Sequence, residues 1–387
     1  MNGAENIFEL LQERQLAGAS EKEIYNSICL FLEQKARACG TPYSGYFELT
    51  PLCNLDCKMC YIHLNNAQLD GEKILSVDKW IDLMQQAIEA GMARACLTGG
   101  ECLTYPHFDD LFLFLKSKGV GVTVLTNGVL LNPAQIDFFK KNMPNRIQIS
   151  LYGDSDQAYE LLTGKRAFSI VHDNILAAKE AGLPIKLAIT PNRFMLGTVK
   201  DIIRLAKDLD VPYNINSSMM TPRNNTDRKK EDFDITADEF SDILNFHRSI
   251  NGWEPKRINV LPYEEGGFDQ FSNIGLRCGA GKSSFAIHWD GKMYPCIQME
   301  SISADPLCDG FSVAWSAINQ QVNSYPCFTK CVECQYAQYC SFCPAENERL
   351  GSRFRLHPSW CDNTWKMIES GNWLVEPDCD NSINGSI

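Results

Sequence analysis

The feature that most restricts the fold is a regular alternation of short apolar runs and amphipathic helical segments between residues 44 and 220. Runs with the length and composition of strands occupy 46–50, 95–98, 122–125, 146–151, 185–190 and 213–216. Alternating strands and helices are the sequence pattern of repeated βα units, which form a parallel sheet. Because functional groups of such folds lie at the carboxyl ends of the strands, residues that directly follow these runs are the first site candidates.

Three cysteines follow the first of these strands within one short loop. Cys53, Cys57 and Cys60 are separated by three and then by two residues, and the next cysteine along the chain is Cys96. A structural zinc site or a fully ligated iron–sulfur cluster takes four protein ligands, so a group of three indicates a metal position left open. The alternatives are part of a zinc knuckle and three buried cysteines that act as small apolar side chains.

The Cys-x3-Cys-x2-Cys arrangement resembles the signature of radical S-adenosylmethionine (SAM) enzymes. The resemblance implies an α/β fold, an open partial (β/α)6 barrel, in which Cys53, Cys57 and Cys60 hold a [4Fe-4S] cluster. It also implies that the amino and carboxylate groups of SAM bind the fourth iron. In this family the reduced cluster cleaves the sulfonium of SAM to a 5′-deoxyadenosyl radical.

Residues at or beyond later strand ends also match this family. Gly99 and Gly100 let backbone approach a ligand closely, and the Glu101 carboxylate can accept hydrogen bonds from an ammonium group. These three residues resemble the family's GGE motif, which binds the amine of SAM. Ser150 lies in a segment similar to the family's Ser-Leu-Asp-Gly, with tyrosine in place of aspartate, which implies a contact with the ribose or carboxylate of SAM. Arg166 stands where relatives carry a basic residue and is predicted to pair with the methionine carboxylate.

The last hundred residues contain a second cysteine pattern, which resembles the SPASM domain, an extension of radical SAM enzymes that carries two auxiliary [4Fe-4S] clusters. By this resemblance the first auxiliary cluster is held by Cys278, Cys296 and Cys343. The second is held by Cys331, Cys334, Cys340 and Cys361. The last interval of the run is two residues where the family usually has three. Because CxxC pairs are common zinc ligands, two zinc ribbons are the alternative, and the upstream cysteine triplet favours iron–sulfur clusters.

Three other cysteines bear on this assignment. Cys102 replaces the proline that commonly follows GGE, and we predict that it is a packing or substrate-side thiol and not a cluster ligand. The first auxiliary cluster lacks a fourth cysteine at the usual spacing. Cys308, Cys327 or an incoming substrate thiolate could fill that position.

The composition argues against nucleic-acid and membrane partners. The chain has 36 Lys and Arg against 48 Asp and Glu, a formal charge of −12, whereas proteins that bind phosphate backbones carry excess basic residues. The first twenty residues contain three glutamates and no long apolar run. We therefore expect a cytoplasmic protein, in which cysteines are metal ligands more often than disulfides.

These patterns predict five regions along the chain. Residues 1–43 form an N-terminal extension of two short helices, 44–220 the radical SAM barrel and 221–277 a polar connector with one capped helix. Residues 278–365 form the SPASM domain and 366–387 a C-terminal tail.

The predicted function is that of an enzyme that reductively cleaves SAM and abstracts hydrogen from a peptide or protein. The leading substrate class is a ribosomally synthesised peptide, in which a thioether or carbon–carbon crosslink forms, with flavodoxin or ferredoxin as reductant. The alternative is an anaerobic sulfatase-maturing enzyme that forms formylglycine. An alternative of another class is a non-catalytic iron–sulfur electron carrier or zinc-binding scaffold. No residue is assigned as a catalytic acid or base.

Overall fold

The computed structural model describes residues 21–376, apart from 63, 65–68, 70–73, 218, 224–229, 260–275, 277, 327, 329–330, 332–333, 338 and 352. The helices up to the end of the barrel are α1 (Glu21–Cys39), α2 (Val77–Glu89), α3 (Phe108–Ser117), α4 (Pro133–Lys141), α5 (Asp156–Thr163), α6 (Phe168–Glu180) and α7 (Val199–Asp208). The later helices are α8 (Ala237–Asn251), α9 (Pro306–Asp309), α10 (Phe311–Asn323), α11 (Pro344–Arg349) and α12 (Ser359–Glu369). The strands are β1 (Ser44–Glu48), β2 (Arg94–Thr98), β3 (Gly121–Thr126), β4 (Arg146–Ser150), β5 (Ile185–Ile189), β6 (Tyr213–Ile215), β7 (Lys256–Asn259), β8 (Ser284–Ile287), β9 (Met293–Tyr294) and β10 (Trp373–Glu376).

One eight-stranded sheet organises the molecule, with the strand order β6-β5-β4-β3-β2-β1-β8-β9. Strands β1 to β6 are parallel throughout, β8 is parallel to β1, and β9 is antiparallel to β8. The predicted α/β fold with a parallel sheet is confirmed, and the six predicted strands are present in chain order. Strands β8 and β9 were not predicted. They extend the sheet beyond β1, so the C-terminal region begins beside the strand that leads into the cysteine loop.

Local sequence signals explain where the helices begin and which face they bury. Helix α2 buries Trp80, Leu83 and Met84, which lie on one face because of the helical repeat. The ring of Trp80 packs edge-to-face on Phe47 of β1, with 6.0 Å between ring centroids. Asn132 caps α4, since its side chain accepts the Gln135 N–H at 3.1 Å.

Two regions lie outside the barrel. Helix α1, 19 residues long, lies where the second of the two helices before residue 40 was expected, and the first lies outside the described residues. The connector contributes a strand as well as the predicted helix α8, because β7 pairs in parallel with β10 from the expected tail. None of the described helices combines the length and the apolar character that crossing a membrane requires.

Candidate cofactor site

The three cysteines of the first motif line one cavity at the carboxyl ends of the parallel strands. The cavity has a volume of about 610 Å³, and Cys53, Cys57 and Cys60 share it with Gly99 and Gly100. This volume falls within the usual range for small-molecule and cofactor sites. The structure therefore brings together residues that are up to 47 positions apart in the chain, at the edge of the sheet where the fold predicts a site.

The cysteine loop is held by backbone bonds to α5 and by a side chain from β3. The Asp56 N–H donates to the Thr163 carbonyl at 2.9 Å, and the Lys58 N–H donates to the Leu162 carbonyl at 2.9 Å. From the end of β3, the Asn127 amide donates to Asn54 Oδ1 at 2.7 Å. These bonds fix the path of the loop independently of what its thiols bind.

The environment of the thiols suits metal ligation. Burial raises the pKa of Cys53 to about 11, so its thiol stays protonated at neutral pH until a metal displaces the proton. The Leu55 N–H lies 3.4 Å from Cys53 Sγ and the Asn127 amide lies 3.6 Å from it, so both can donate to a thiolate. In the described part of the chain, no three His, Cys, Asp or Glu side chains are gathered as tightly as a single metal ion requires. Three thiols facing one cavity, with donors behind them, fit a cluster that keeps one iron open for SAM.

The two glycines of the GGE segment are required by the close approach of two backbones. A Cβ on Gly99 would lie 2.5 Å from the Thr50 carbonyl oxygen, and one on Gly100 would lie 2.6 Å from the Pro51 oxygen. Gly99 also has φ = +144°, a region that residues with side chains rarely adopt. The glycines thus let the end of β2 rest against the start of the cysteine loop while they line the cavity.

Glu101 is placed differently from its two neighbours. Its carboxylate is 1% exposed and is not among the groups that line the cavity. It accepts the Asn127 N–H at 2.7 Å, the Thr126 hydroxyl at 2.8 Å and the Leu103 N–H at 3.1 Å. Burial raises the pKa of this carboxyl, which these donors oppose. The carboxylate joins the end of β2 to the end of β3, and its predicted contact with SAM remains a prediction.

Ser150 and Arg166 have contrasting surroundings. Ser150, the last residue of β4, lines the cavity beside Tyr152. Arg166 does not line it; its guanidinium is about half exposed, at 52%, and pairs with Glu160 at 3.1 Å. The predicted pairing of Arg166 with the methionine carboxylate would therefore need this surface ion pair to open.

Several polar groups of the cavity were missed by the sequence analysis. Asn127, Thr190 and Asn216 follow β3, β5 and β6, and all three line the cavity. The Asn216 amide donates to Thr190 Oγ1 at 2.7 Å, which joins two strand ends. Tyr152 also lines the cavity, and burial raises its pKa well above the ordinary value, so its phenol stays protonated. Applying the strand-end rule to every polar residue after a strand would have found the first three.

The three cysteines assigned to the first auxiliary cluster lie near one another. The pKa of Cys296 is raised to about 11, mainly by burial and in part by the neighbouring Cys278 and Cys343. Cys308 lies on the short helix α9, is exposed, and its backbone N–H donates to Asp305. Cys327 lies outside the described residues.

The cysteines assigned to the second auxiliary cluster lie on two segments that pack together. The turn between Cys334 and Cys340 contacts the helix that carries Cys361, because the rings of Tyr336 and Trp365 are 5.0 Å apart.

Cys102, by contrast, is fully buried, and its thiol donates to the Leu125 carbonyl at 3.2 Å. This places Cys102 in the core behind the site.

Comparison with known proteins agrees with these features. Residues 47–206 match the model of the Radical SAM superfamily. The sporulation killing factor maturation protein SkfB of Bacillus subtilis (strain 168) is 26% identical over 309 residues, which cover 76% of this chain and 73% of SkfB. A PqqA peptide cyclase of Streptomyces rochei is 28% identical over 172 residues, 44% of this chain and 47% of the cyclase. The match thus covers less than half of the length of that second relative.

The fold is also found in a solved structure, that of Streptococcus suis SuiB bound to the precursor peptide SuiA. The TM-score is 0.63 at 16% identity, and the likeness covers 88% of this chain and 80% of SuiB. At this identity the comparison concerns the fold. The match to the family model contains the cysteine triplet, the GGE segment and strands β2 to β5, and residues 47–206 are therefore identified as a radical SAM domain.

Proposed function

We propose that this protein is a radical SAM peptide maturase that forms a crosslink in a ribosomally synthesised peptide. The observation that carries the proposal is the composition of the cavity wall. Cys53, Cys57 and Cys60 line it together with Ile297, which directly follows Cys296. A substrate in this cavity would therefore lie near both the radical-generating loop and a segment that carries a predicted auxiliary ligand.

The cofactor assignments extend this proposal. Cys278, Cys296 and Cys343 would hold one auxiliary [4Fe-4S] cluster. The other would be held by Cys331, Cys334, Cys340 and Cys361, within a C-terminal domain of residues 278–365. When bound, SAM supplies the 5′-deoxyadenosyl radical that removes a hydrogen atom, on reduction of the cluster assigned to Cys53, Cys57 and Cys60. The auxiliary clusters would accept an electron.

The chain's own residues give the cavity both polar and apolar lining groups. The backbone of Gly99 and Gly100, together with Ser150 and the Asn216 amide, would bind the polar groups of SAM. The apolar lining groups include Met59, Ile62, Met219, Met220 and Ile297. Methionine side chains adapt to irregular partners, so this wall suits a peptide side chain and helps to exclude water from the radical.

The relatives support a peptide as the substrate. SkfB, whose match extends beyond the barrel, is a maturation protein, and the Streptomyces relative is a peptide cyclase. The SuiB structure contains a precursor peptide. A small electron donor such as flavodoxin or ferredoxin would supply the reducing electron.

The test is anaerobic coexpression of this protein with short peptides encoded beside its gene, followed by mass spectrometry of the peptide. Crosslink formation removes two hydrogen atoms per bond and leaves the residues joined in fragmentation spectra. The matched control replaces Cys53, Cys57 and Cys60 by alanine and should leave the peptide unchanged. A hydrazide-reactive aldehyde in place of a crosslink would favour the formylglycine activity, and absence of SAM cleavage by the reconstituted wild type would refute both.

A further inference from the structure

Arg223 lies where the barrel, the connector and the C-terminal region meet. Its guanidinium is 1% exposed and makes two parallel bonds to the Glu48 carboxylate, at 2.7 and 2.5 Å. Glu48, the last residue of β1, is fully buried. The two residues are 175 positions apart in the chain, so this ion pair exists only through the tertiary fold.

The same arginine contacts two residues of the cavity wall from behind. Its guanidinium lies over the ring of Tyr61 at 4.9 Å, and its backbone N–H donates to the Tyr61 carbonyl at 3.1 Å. A guanidinium N–H also donates to the carbonyl of Ile297. Tyr61 and Ile297 line the cavity, whereas Arg223 does not. Since Tyr61 directly follows Cys60 and Ile297 directly follows Cys296, Arg223 joins the two cysteine-bearing segments.

Neighbouring residues of the connector strengthen this junction. The Thr221 hydroxyl donates to Glu346 at 2.6 Å, three residues beyond Cys343. Arg349 donates to the Thr221 carbonyl at 2.8 Å and to the Gln298 carbonyl at 2.9 Å. Residues 221–223 are therefore bonded to segments next to Cys60, Cys296 and Cys343.

The chemistry of the junction requires an arginine. A planar guanidinium can bind a carboxylate with two bonds and stack on an aromatic ring at the same time, which a lysine ammonium cannot do. The charge of Arg223 balances that of Glu48, because the nearby His288 carries no charge. Burial lowers the pKa of His288, which lies 3.5 Å from Glu48, to about 4 and leaves that imidazole neutral. Loss of the arginine would leave the Glu48 carboxylate buried without a cation.

We propose that Arg223 is a positioning residue that fixes Tyr61 relative to Ile297 and so sets where the substrate lies between the radical and the first auxiliary site. This rests on the proposed function. The residue acts through the two wall residues that it holds and touches neither SAM nor substrate.

The first test compares Arg223→Met and Arg223→Lys with wild type by the amount of crosslinked peptide formed per 5′-deoxyadenosine. This ratio corrects for any change in the rate of SAM cleavage. Because small displacements of reacting groups are costly, Arg223→Met should lower the ratio by about tenfold to about a hundredfold. Arg223→Lys keeps the charge and should lie between Arg223→Met and wild type.

The matched control is Arg248→Met. Arg248 is also a partly buried arginine that holds carbonyls, since it donates to Gly371 at 2.9 Å and Asn372 at 3.3 Å, but it lies away from the cavity wall. Its loss should leave the ratio at the wild-type value. If Arg223→Met does not fold, Arg223→Lys and Glu48→Gln provide the same comparison, and both should lower the ratio. A wild-type ratio in the folded Arg223 variants, or an equal drop in Arg248→Met, would overturn the proposal.

A second readout needs no turnover. Pulsed electron paramagnetic resonance on reduced protein measures the separation of the radical SAM cluster from the first auxiliary cluster. The distribution of separations should shift or broaden in Arg223→Met and remain as in wild type in Arg248→Met; an unchanged distribution in Arg223→Met would refute the positioning role. A wild type that loads clusters but cleaves no SAM would refute the proposed function alone, since these separations would still test Arg223.

Discussion

The carboxylate of Glu101 offers the sharpest test of how the site is built. It accepts hydrogen bonds from Leu103, Thr126 and Asn127, so it braces the end of β2 against the end of β3. We expect replacement of Glu101 by alanine to lower the free energy of unfolding, and its effect on SAM affinity tests the predicted contact with the SAM ammonium.

The magnitude follows from the groups that the substitution leaves behind. Alanine removes the acceptor of the Asn127 N–H and of the Thr126 hydroxyl, both on buried residues. Each buried donor left without a partner lowers the free energy of unfolding by roughly 1–3 kcal/mol. Burial of the Glu101 carboxylate is itself unfavourable, so its removal offsets part of this loss. We therefore expect Glu101→Ala to lose about 3 kcal/mol. Glu101→Gln keeps the shape and one acceptor oxygen but turns an NH2 toward a donor, and we expect a loss of about 1–2 kcal/mol.

The assay is urea unfolding of the cluster-free protein, combined with equilibrium binding of SAM to the reconstituted protein. Glu180→Ala is the matched control, because Glu180 is an exposed glutamate at the end of α6 that does not line the cavity, and surface substitutions of this kind usually change stability by less than about 0.5 kcal/mol. A wild-type urea midpoint for Glu101→Ala together with strongly weakened SAM binding would refute the bracing role. That result would support the direct contact with the SAM ammonium that the sequence predicts.

Other predictions follow from the same contacts. Reconstituted protein should contain about twelve irons in three clusters, by iron and sulfide analysis, and stoichiometric zinc with little iron would contradict this. Alanine at any one of Cys53, Cys57 and Cys60 should abolish 5′-deoxyadenosine formation under dithionite, while the auxiliary signals persist; cleavage at the normal rate would remove that cysteine from the site. Burial raises the pKa of Glu48, but the charge and hydrogen bonds of Arg223 outweigh it and hold the pKa below its ordinary value. In Arg223→Met the guanidinium no longer opposes the effect of burial, so the pKa of Glu48 in the folded protein should rise above its value in the unfolded chain. At a pH above that unfolded value, the folded protein should therefore hold a proton on Glu48 that the unfolded chain has released. The free energy of unfolding of this variant relative to wild type should then fall from about pH 5 to about pH 8, by at most about 1.4 kcal/mol per pH unit, and a flat difference would contradict this. Cys308→Ala should leave the spectrum of the first auxiliary cluster unchanged, because Cys308 is exposed on α9; loss of that spectrum would identify Cys308 as its fourth ligand.

Much of the barrel could be predicted because its signals are local. The strand from Ile185 and the cap at Asn132 depend on residue types within a few positions, which fix hydrophobic period and capping. The cysteine triplet and the glycines after β2 were found for the same reason, since each motif is a short spacing. The parallel order of the sheet then placed them at one edge.

The contacts that complete the site were not predictable in this way. Strands β8 and β9, the pairing of β7 with β10, and the internal role of Glu101 all depend on partners far away in sequence. A carboxylate after two glycines has the same local sequence whether it faces a ligand or a neighbouring strand end. Only the fold shows that strand-end donors surround this carboxylate.

The sequence by itself determined the fold class, the cysteine groups and the edge of the sheet where the site lies, because periodicity and short spacings carry that information. Only the tertiary structure decided that Glu48, Arg223 and Ile297 meet behind the cavity. A buried ion pair needs both partners to leave water together, and no local pattern records which two residues will do so.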